Sequence, residues 1–225
     1  MIDRLATEKG HQIAGRINID NREELTQLNT AEVDVAIEFS QPGAAVENIK
    51  WCIDQGIPVA VGTTGWLDQK SEVDAYCKEK NGTYLYASNF SVGVNVFFKL
   101  NQFLARLMDR QPNYDISMKE IHHTQKLDAP SGTAITLAEG ILKEVARKSQ
   151  WAEGSTTDPK TLAIASERID PTPGTHSIHY DSPVDAIEIK HTAHGREGFA
   201  NGAIMVAEWL ANQSGVLTMD DFLDL

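Results

Sequence analysis

Cysteine is scarce: Cys52 and Cys77 are the two in this 225-residue chain. That is too few for a disulfide framework, and they lack the paired spacing of a zinc site. Both read as ordinary thiols of a reducing compartment. Basic residues are also in short supply, with 20 Lys and Arg against 32 Asp and Glu and a net charge of −12. Nucleic-acid binding needs clustered cations to neutralise phosphates, so this balance argues against a general binder while leaving room for a local basic pocket. No apolar run approaches the roughly 20 residues of a membrane span, and the first residues lack the layout of a secretory signal. The expectation is a cytoplasmic protein with no nucleic-acid or membrane partner. The sequence holds no internal repeat and no low-complexity segment.

What is present is an alternation of strand, polar loop and helix. Residues 1–9 have Ile2, Leu5 and Ala6 at helical spacing, and Gly10 sits where a helix would stop. Residues 11–17 read as a short strand, residues 22–28 as a weak helix or turn, and residues 33–39 (VDVAIEF) as a clear strand. An amphipathic helix over 44–55 closes at Gly56. Residues 57–61 form a buried strand, 68–80 a helix and 83–87 another strand. Spacings near 25 residues are those of a parallel sheet with crossover helices, whose ligands bind at the carboxyl ends of the strands. At two such ends stand Gly62-Thr63-Thr64-Gly65 and Ser88-Asn89-Phe90-Ser91, small polar loops rich in amides and hydroxyls. Residues 92–108 read as a long, mostly buried helix. From there strands dominate: 114–121, 162–169, 176–180 and 185–192, the last two an antiparallel pair, with helices over 131–148 and 199–212 and an acidic tail.

The chemistry concentrates in Glu120-Ile121-His122-His123-Thr124-Gln125-Lys126-Leu127-Asp128-Ala129-Pro130-Ser131-Gly132-Thr133-Ala134. Two imidazoles and an amine sit on a loop between a strand and a helix start, a receptor for an anion with protons to exchange. A solvated polar loop is the bland alternative for any one of these histidines. Against it stands the rigid Asp128-Ala129-Pro130 turn, which delivers Ser131, Gly132 and Thr133 to a helix N-terminus that suits a carboxylate. Arg168, Gly174-Thr175-His176 and His191 to Arg196 add further cationic groups in an acidic chain. His122 and His123 are neighbours that point apart on a strand, and no His-x-x-x-His or Cys-x-x-Cys pair exists, so no metal is expected.

These motifs together resemble dihydrodipicolinate reductase, the nicotinamide-dependent reductase family of the diaminopimelate and lysine pathway. The His-His-x-x-Lys-x-Asp-Ala-Pro-Ser-Gly-Thr run carries the resemblance, with Gly62-Thr63-Thr64, Ser88 to Gly93, Arg168 with Gly174-Thr175-His176, and His191-x-Ala193-x-x-Arg196-x-x-Phe199-Ala200-x-Gly202-Ala203 in the same order. The resemblance implies an α/β fold: a Rossmann-like parallel-sheet domain (residues 1–91 with 199–225) and a second α+β domain with a mixed sheet for substrate binding and assembly (92–198). It implies NADH or NADPH as cofactor, a cyclic imine dicarboxylate as substrate and a homotetramer. By motif match, His122 and Lys126 would donate protons. His123, Ser131, Gly132 and Thr133 would hold a substrate carboxylate. Gly62, Thr63, Thr64, Ser88, Asn89, Phe90 and Ser91 would line the cofactor, with Asn18 at the ribose and Arg16 near a 2′-phosphate.

The family opens with a strand and a glycine-rich phosphate loop ahead of its first helix, and this chain begins at that helix. Both are therefore expected to be absent. If the missing strand is the central one, residues 11–17 and 57–61 would lose a shared neighbour. A rival expectation is a non-catalytic fragment that keeps the dicarboxylate site and assembly surface but not the cofactor.

Overall fold

A computed structural model describes all residues, 1–225. In chain order its first half holds α1 (Ile2–Glu8), β1 (Ala36–Glu38), α2 (Pro42–Asp54), β2 (Val59–Val61), α3 (Lys70–Glu79), β3 (Thr83–Tyr86) and α4 (Val92–Asp109). Then come β4 (Asp115–His122), α5 (Gly132–Glu144), β5 (Gln150–Glu153), β6 (Thr161–Arg168), β7 (Gly174–Asp181), β8 (Ala186–Ala193), α6 (Glu197–Leu210), β9 (Gly215–Leu217) and α7 (Met219–Leu223). The chain divides into two compact units, Met1–Val92 with Glu197–Leu225, and Gly93–Arg196.

The first unit is a four-stranded parallel sheet in the order β1-β2-β3-β9. Burial of β2 on both faces, with Val59, Ala60 and Val61 fully enclosed, explains its uninterrupted apolar run. One face packs on α2 and α3 through Ile49, Ile53, Val73 and Cys77, and the other on α6 through Ala203, Val206 and Leu210. In α2 the buried residues Ala45, Ile49, Cys52 and Ile53 recur at helical spacing behind a proline in the first turn.

The strand expected over residues 11–17 does not form: after α1 the chain runs through this stretch without ladder pairing. A strand needs a neighbour to hydrogen-bond, and Gly15 weakens its middle. Ile13 packs against Leu5 and Ala200, while Ile19 is 89% exposed. The expectation for residues 57–61 is also corrected. β2 has neighbours on both sides, and the strands with a vacant edge are β1 and β9. β9 was not anticipated, because a strand of three residues, Gly215–Leu217, leaves no periodicity to read.

The second unit is a mixed sheet in the order β5-β6-β4-β7-β8, parallel across β5, β6 and β4 and antiparallel from β4 through β8. Its core joins Ile116, Met118, Leu162, Ile164, Ile178 and Tyr180 of the sheet to Phe97, Ala105 and Met108 of α4 and Leu137 and Ile141 of α5. α4 is not mostly buried as expected. Val96, Leu100, Phe103 and Leu107 form an exposed apolar stripe along it. The helix expected over 131–148 ends at Glu144, and the buried Lys148 ammonium then bridges Asp115 (2.9 Å) and the Thr161 carbonyl (3.2 Å) just ahead of β5.

Candidate active site

β4 alternates buried and partly exposed residues, with Ile116, Met118, Glu120 and His122 on the buried face. The apolar pair continues the core, so the next two positions place a carboxylate and an imidazole where a core residue would stand. Register supplies their companions. Parallel β6 sets Arg168 beside His122, and antiparallel β7 sets His176 beside Glu120.

Glu120 is fully buried. Its Oε1 accepts from both terminal nitrogens of Arg168 at 3.4 Å. Its Oε2 accepts from the Ser131 amide at 3.1 Å and lies 3.5 Å from His122 Nδ1 and 3.7 Å from His176 Nε2. The two imidazole rings meet edge to face at 5.1 Å. Burial works to raise the Glu120 carboxyl, but His176, Ser131 and the charge at His122 outweigh it and hold it well below the usual carboxylate range. His122 is pushed down to about 4, first by burial and then by His176, Lys126 and Arg168, with Glu120 opposing. The free site thus carries a neutral His122 at neutral pH.

Arg168 also ties the loop that follows β4. It donates to the carbonyls of Lys126 (3.3 Å) and Asp128 (2.7 Å). Thr124 is held to Asp170 through its amide (3.1 Å) and hydroxyl (2.6 Å), and the Lys126 ammonium pairs with Asp128 at 2.7 Å. His123 lies half-buried one residue past the strand. The loop passes through a cis Ala129–Pro130 bond to Ser131, whose hydroxyl accepts from the Ala134 amide and caps α5. The same hydroxyl meets His176 Nε2 at 3.1 Å. Gly132 has open space where a side chain would stand, so the first turn of α5 is accessible beside it. The structure therefore gathers His122, Lys126 and Ser131 around Glu120 and Arg168, with His123, Gly132 and Thr133 on the same loop and helix start.

The side-chain donors of Glu120, His122 and His176 fall within 4.8 Å of one another, close enough for a divalent ion to bridge. Arg168 already neutralises the carboxylate, Ser131 meets His176, and a dication would face Arg168 and Lys126. The cluster reads as a hydrogen-bonded network rather than a metal centre.

In the first unit, Gly62 to Thr64 follow β2 and Ser88 to Ser91 follow β3, neighbouring parallel strands. Phe39, Ser40, Pro42, Gly62, Thr63 and Thr64 line a cleft of about 230 Å³. A Cβ on Gly62 would stand 2.1 Å from the Phe39 ring, so a side chain there would have to push that exposed ring aside. Thr63 Oγ1 accepts from the Ser40 amide (2.6 Å), and its carbonyl accepts from Trp66 Nε1 (2.8 Å). Asn89 Oδ1 accepts from the Ser91 amide at 2.9 Å, and Phe90 is buried with its ring 5.7 Å from that of Phe39. Asn18 is not part of this assembly. It is exposed, and its side chain accepts from the Asp20 amide. Arg16 is engaged by Asp3 at 2.7 Å.

Two family models cover nearly all of the sequence: dihydrodipicolinate reductase, N-terminus, over residues 4–90, and dihydrodipicolinate reductase, C-terminus, over residues 93–223. A 4-hydroxy-tetrahydrodipicolinate reductase of Christiangramia forsetii is 46% identical over 99% of this chain and 92% of its own length. The chain belongs to the dihydrodipicolinate reductase family. A second relative of the same name, from Methanosarcina barkeri, is 37% identical over 89% of this chain and 76% of its own length. Among solved structures, a dipicolinate-bound dihydrodipicolinate reductase from Paenisporosarcina sp. TG-14 shares the fold. Its TM-score is 0.72 at 20% identity, over 96% of this chain and 83% of that one.

Within this reductase fold the residue that motif reading left without a role is Glu120. The signal was available: it falls on the core-facing phase of an alternating strand, where an unpaired carboxylate is costly and so implies partners. Its partners Arg168 and His176 stood out only as cationic groups, because their meeting depends on sheet register.

Proposed function

We propose that this chain reduces 4-hydroxy-tetrahydrodipicolinate to tetrahydrodipicolinate, using His122 and Lys126 for protonation and the Ser131–Thr133 helix start for a substrate carboxylate. The observation that carries this reading is the buried Glu120–His122–His176–Arg168 cluster beside the Lys126 loop and the α5 N-terminus. NADH or NADPH supplies a hydride when bound, and the cleft at Gly62 to Thr64, with its glycine passage under Phe39, fits part of a dinucleotide. The balance is one hydride and one proton gained and one water lost from the hydroxylated ring.

The roles follow from charge. A dicarboxylate brings two negative charges toward Arg168, Lys126, His176 and the α5 amides, which pairs charge and aligns with the helix dipole alike. Those charges also raise the proton affinity of His122, which is neutral in the free site, so ligand binding helps load the proton that the ring then gives up. His123 adds a donor on the carboxylate side. The cytoplasm and a homotetramer complete the reading, and no helix is long and apolar enough to cross a membrane.

The test is to supply 4-hydroxy-tetrahydrodipicolinate with NADH and, separately, NADPH, following dinucleotide oxidation and product mass. Substrate-dependent oxidation with a product lighter by one oxygen supports the assignment. Binding of the dicarboxylate without oxidation of either dinucleotide contradicts it.

A further inference from the structure

Each ring nitrogen of His122 meets a different environment. Nδ1 is enclosed, has no hydrogen-bond partner within the usual limits and lies 3.5 Å from Glu120 Oε2. Leaving a buried ring N–H without an acceptor is costly, and Glu120 is the acceptor that a slight tightening would bring into range. Nε2 points the other way, toward Gly174 at the start of β7. A Cβ there would stand 3.1 Å from Nε2 and 3.3 Å from Cδ2, so the glycine keeps that edge of the ring free of a side chain.

Resting on the reductase reading above, we propose that Glu120 is a positioning residue: its carboxylate holds the Nδ1 edge of His122 and turns Nε2 toward the gap at Gly174 as the proton-exchanging edge. The titratable and charged groups facing His122 are Glu120 on its own strand, Arg168 from β6, His176 from β7 and Lys126 from the following loop. Glu120 is the one anion among them. It is what makes an imidazolium tolerable there when substrate binds, and it fixes which nitrogen keeps its proton after the other is given up. The remaining contacts of Glu120 serve the same end. Arg168 and the Ser131 amide anchor the carboxylate from β6 and α5, so the orientation of His122 is set by three elements at once. A purely structural Glu120–Arg168 pair would need none of this alignment with the imidazole.

The test combines kinetics with ¹⁵N NMR of the imidazole nitrogens on the intact chain. Glu120→Gln keeps the volume and removes the charge. It is expected to lower kcat by about 10- to 100-fold, in the range of lost orienting partners, with KM for the dicarboxylate within about threefold. The limb of the kcat–pH profile that reports His122 should move to lower pH, and Glu120→Asp should restore part of the rate. Gly174→Ala should lower kcat while leaving the Nδ1 signal of His122 unchanged. Wild-type ¹⁵N spectra should show the neutral ring protonated at Nδ1, and Glu120→Gln should mix the tautomers. A wild-type His122 protonated at Nε2 overturns the proposal, and so does a Glu120→Gln variant with unchanged pH profile and tautomer. If Glu120→Gln fails to fold, the wild-type tautomer decides. Wild-type chain with the Nδ1–H tautomer but no turnover would count against the reductase reading and not against the positioning role.

Discussion

The two sheets present their candidate ligand groups in opposite ways. In the first unit the loops after β2 and β3 offer backbone amides and hydroxyls beside a glycine passage, and the buried Glu38 carboxylate behind the cleft accepts from Ser40 and Asn48. In the second unit the end of β4 buries a carboxylate and an imidazole, countered by an arginine from β6 and a second imidazole from β7. One candidate surface offers neutral hydrogen-bonding groups, the other a compensated cluster of charges. The first should tolerate changes in pH and salt and be broken by added volume. The second should tolerate little change in charge, because each buried group depends on the others.

The largest effects are expected where the second unit loses a proton donor. His122→Ala or Lys126→Ala should lower kcat by about 10²- to 10⁴-fold, the usual contribution of a general acid, with dinucleotide affinity unchanged by calorimetry. Volume comes next. Gly202→Ala in α6 would set a Cβ 1.8 Å from the Phe90 carbonyl oxygen, a backbone atom that cannot swing aside. The expected loss is about 1–3 kcal/mol in urea unfolding, as for other overpacked positions.

Acid should then separate the units. His122 falls to about 4 from an ordinary value near 6.5, so over that interval the unfolded chain binds a proton that the folded chain refuses. His191 is lowered in the same direction by burial, and Glu120, held below the carboxylate range, adds a loss at lower pH still. Stability should therefore decline as pH drops from about 6.5 toward 4, by on the order of 1–3 kcal/mol from His122. His122→Asn should flatten the decline in a pH series of unfolding midpoints. The smallest effect is expected at Gly62→Ala. The Phe39 ring is 53% exposed and can rotate away from the new methyl, so stability should hold. KM for the dinucleotide should rise about tenfold, equivalent to roughly 1.4 kcal/mol, and KM for the dicarboxylate should not move.

The same contrast explains what the sequence disclosed. The loops at Gly62 and Ser88 and the His122–Thr133 run are contiguous motifs, so their places at strand ends and a helix start were legible before the fold was seen. The Ser131 cap followed from residue type alone. The Glu120 network was not legible, because Arg168 and His176 are distant in sequence and reach Glu120 only through the pairing of β4 with β6 and β7. Residues 11–17 failed for a related reason: local β propensity says nothing about whether a neighbour exists to pair with. α4 misled because a long helix with many apolar residues looks buried, whereas Val96, Leu100, Phe103 and Leu107 all lie on one side and remain exposed. Asn18 was placed by motif position, but local hydrogen bonds to Asp20 and Asn21 take its polar groups.

The central claim is that this chain moves a hydride from a nicotinamide dinucleotide to a ring that His122 and Lys126 help protonate. The most direct measurement is deuterium transfer from dinucleotide labelled at the hydride position, read by mass spectrometry of the tetrahydrodipicolinate formed. The account predicts one deuterium on a ring carbon of the product with wild-type chain, and almost no product with the His122→Ala, Lys126→Ala double variant. Unlabelled product, or a double variant that transfers label at the wild-type rate, would contradict it.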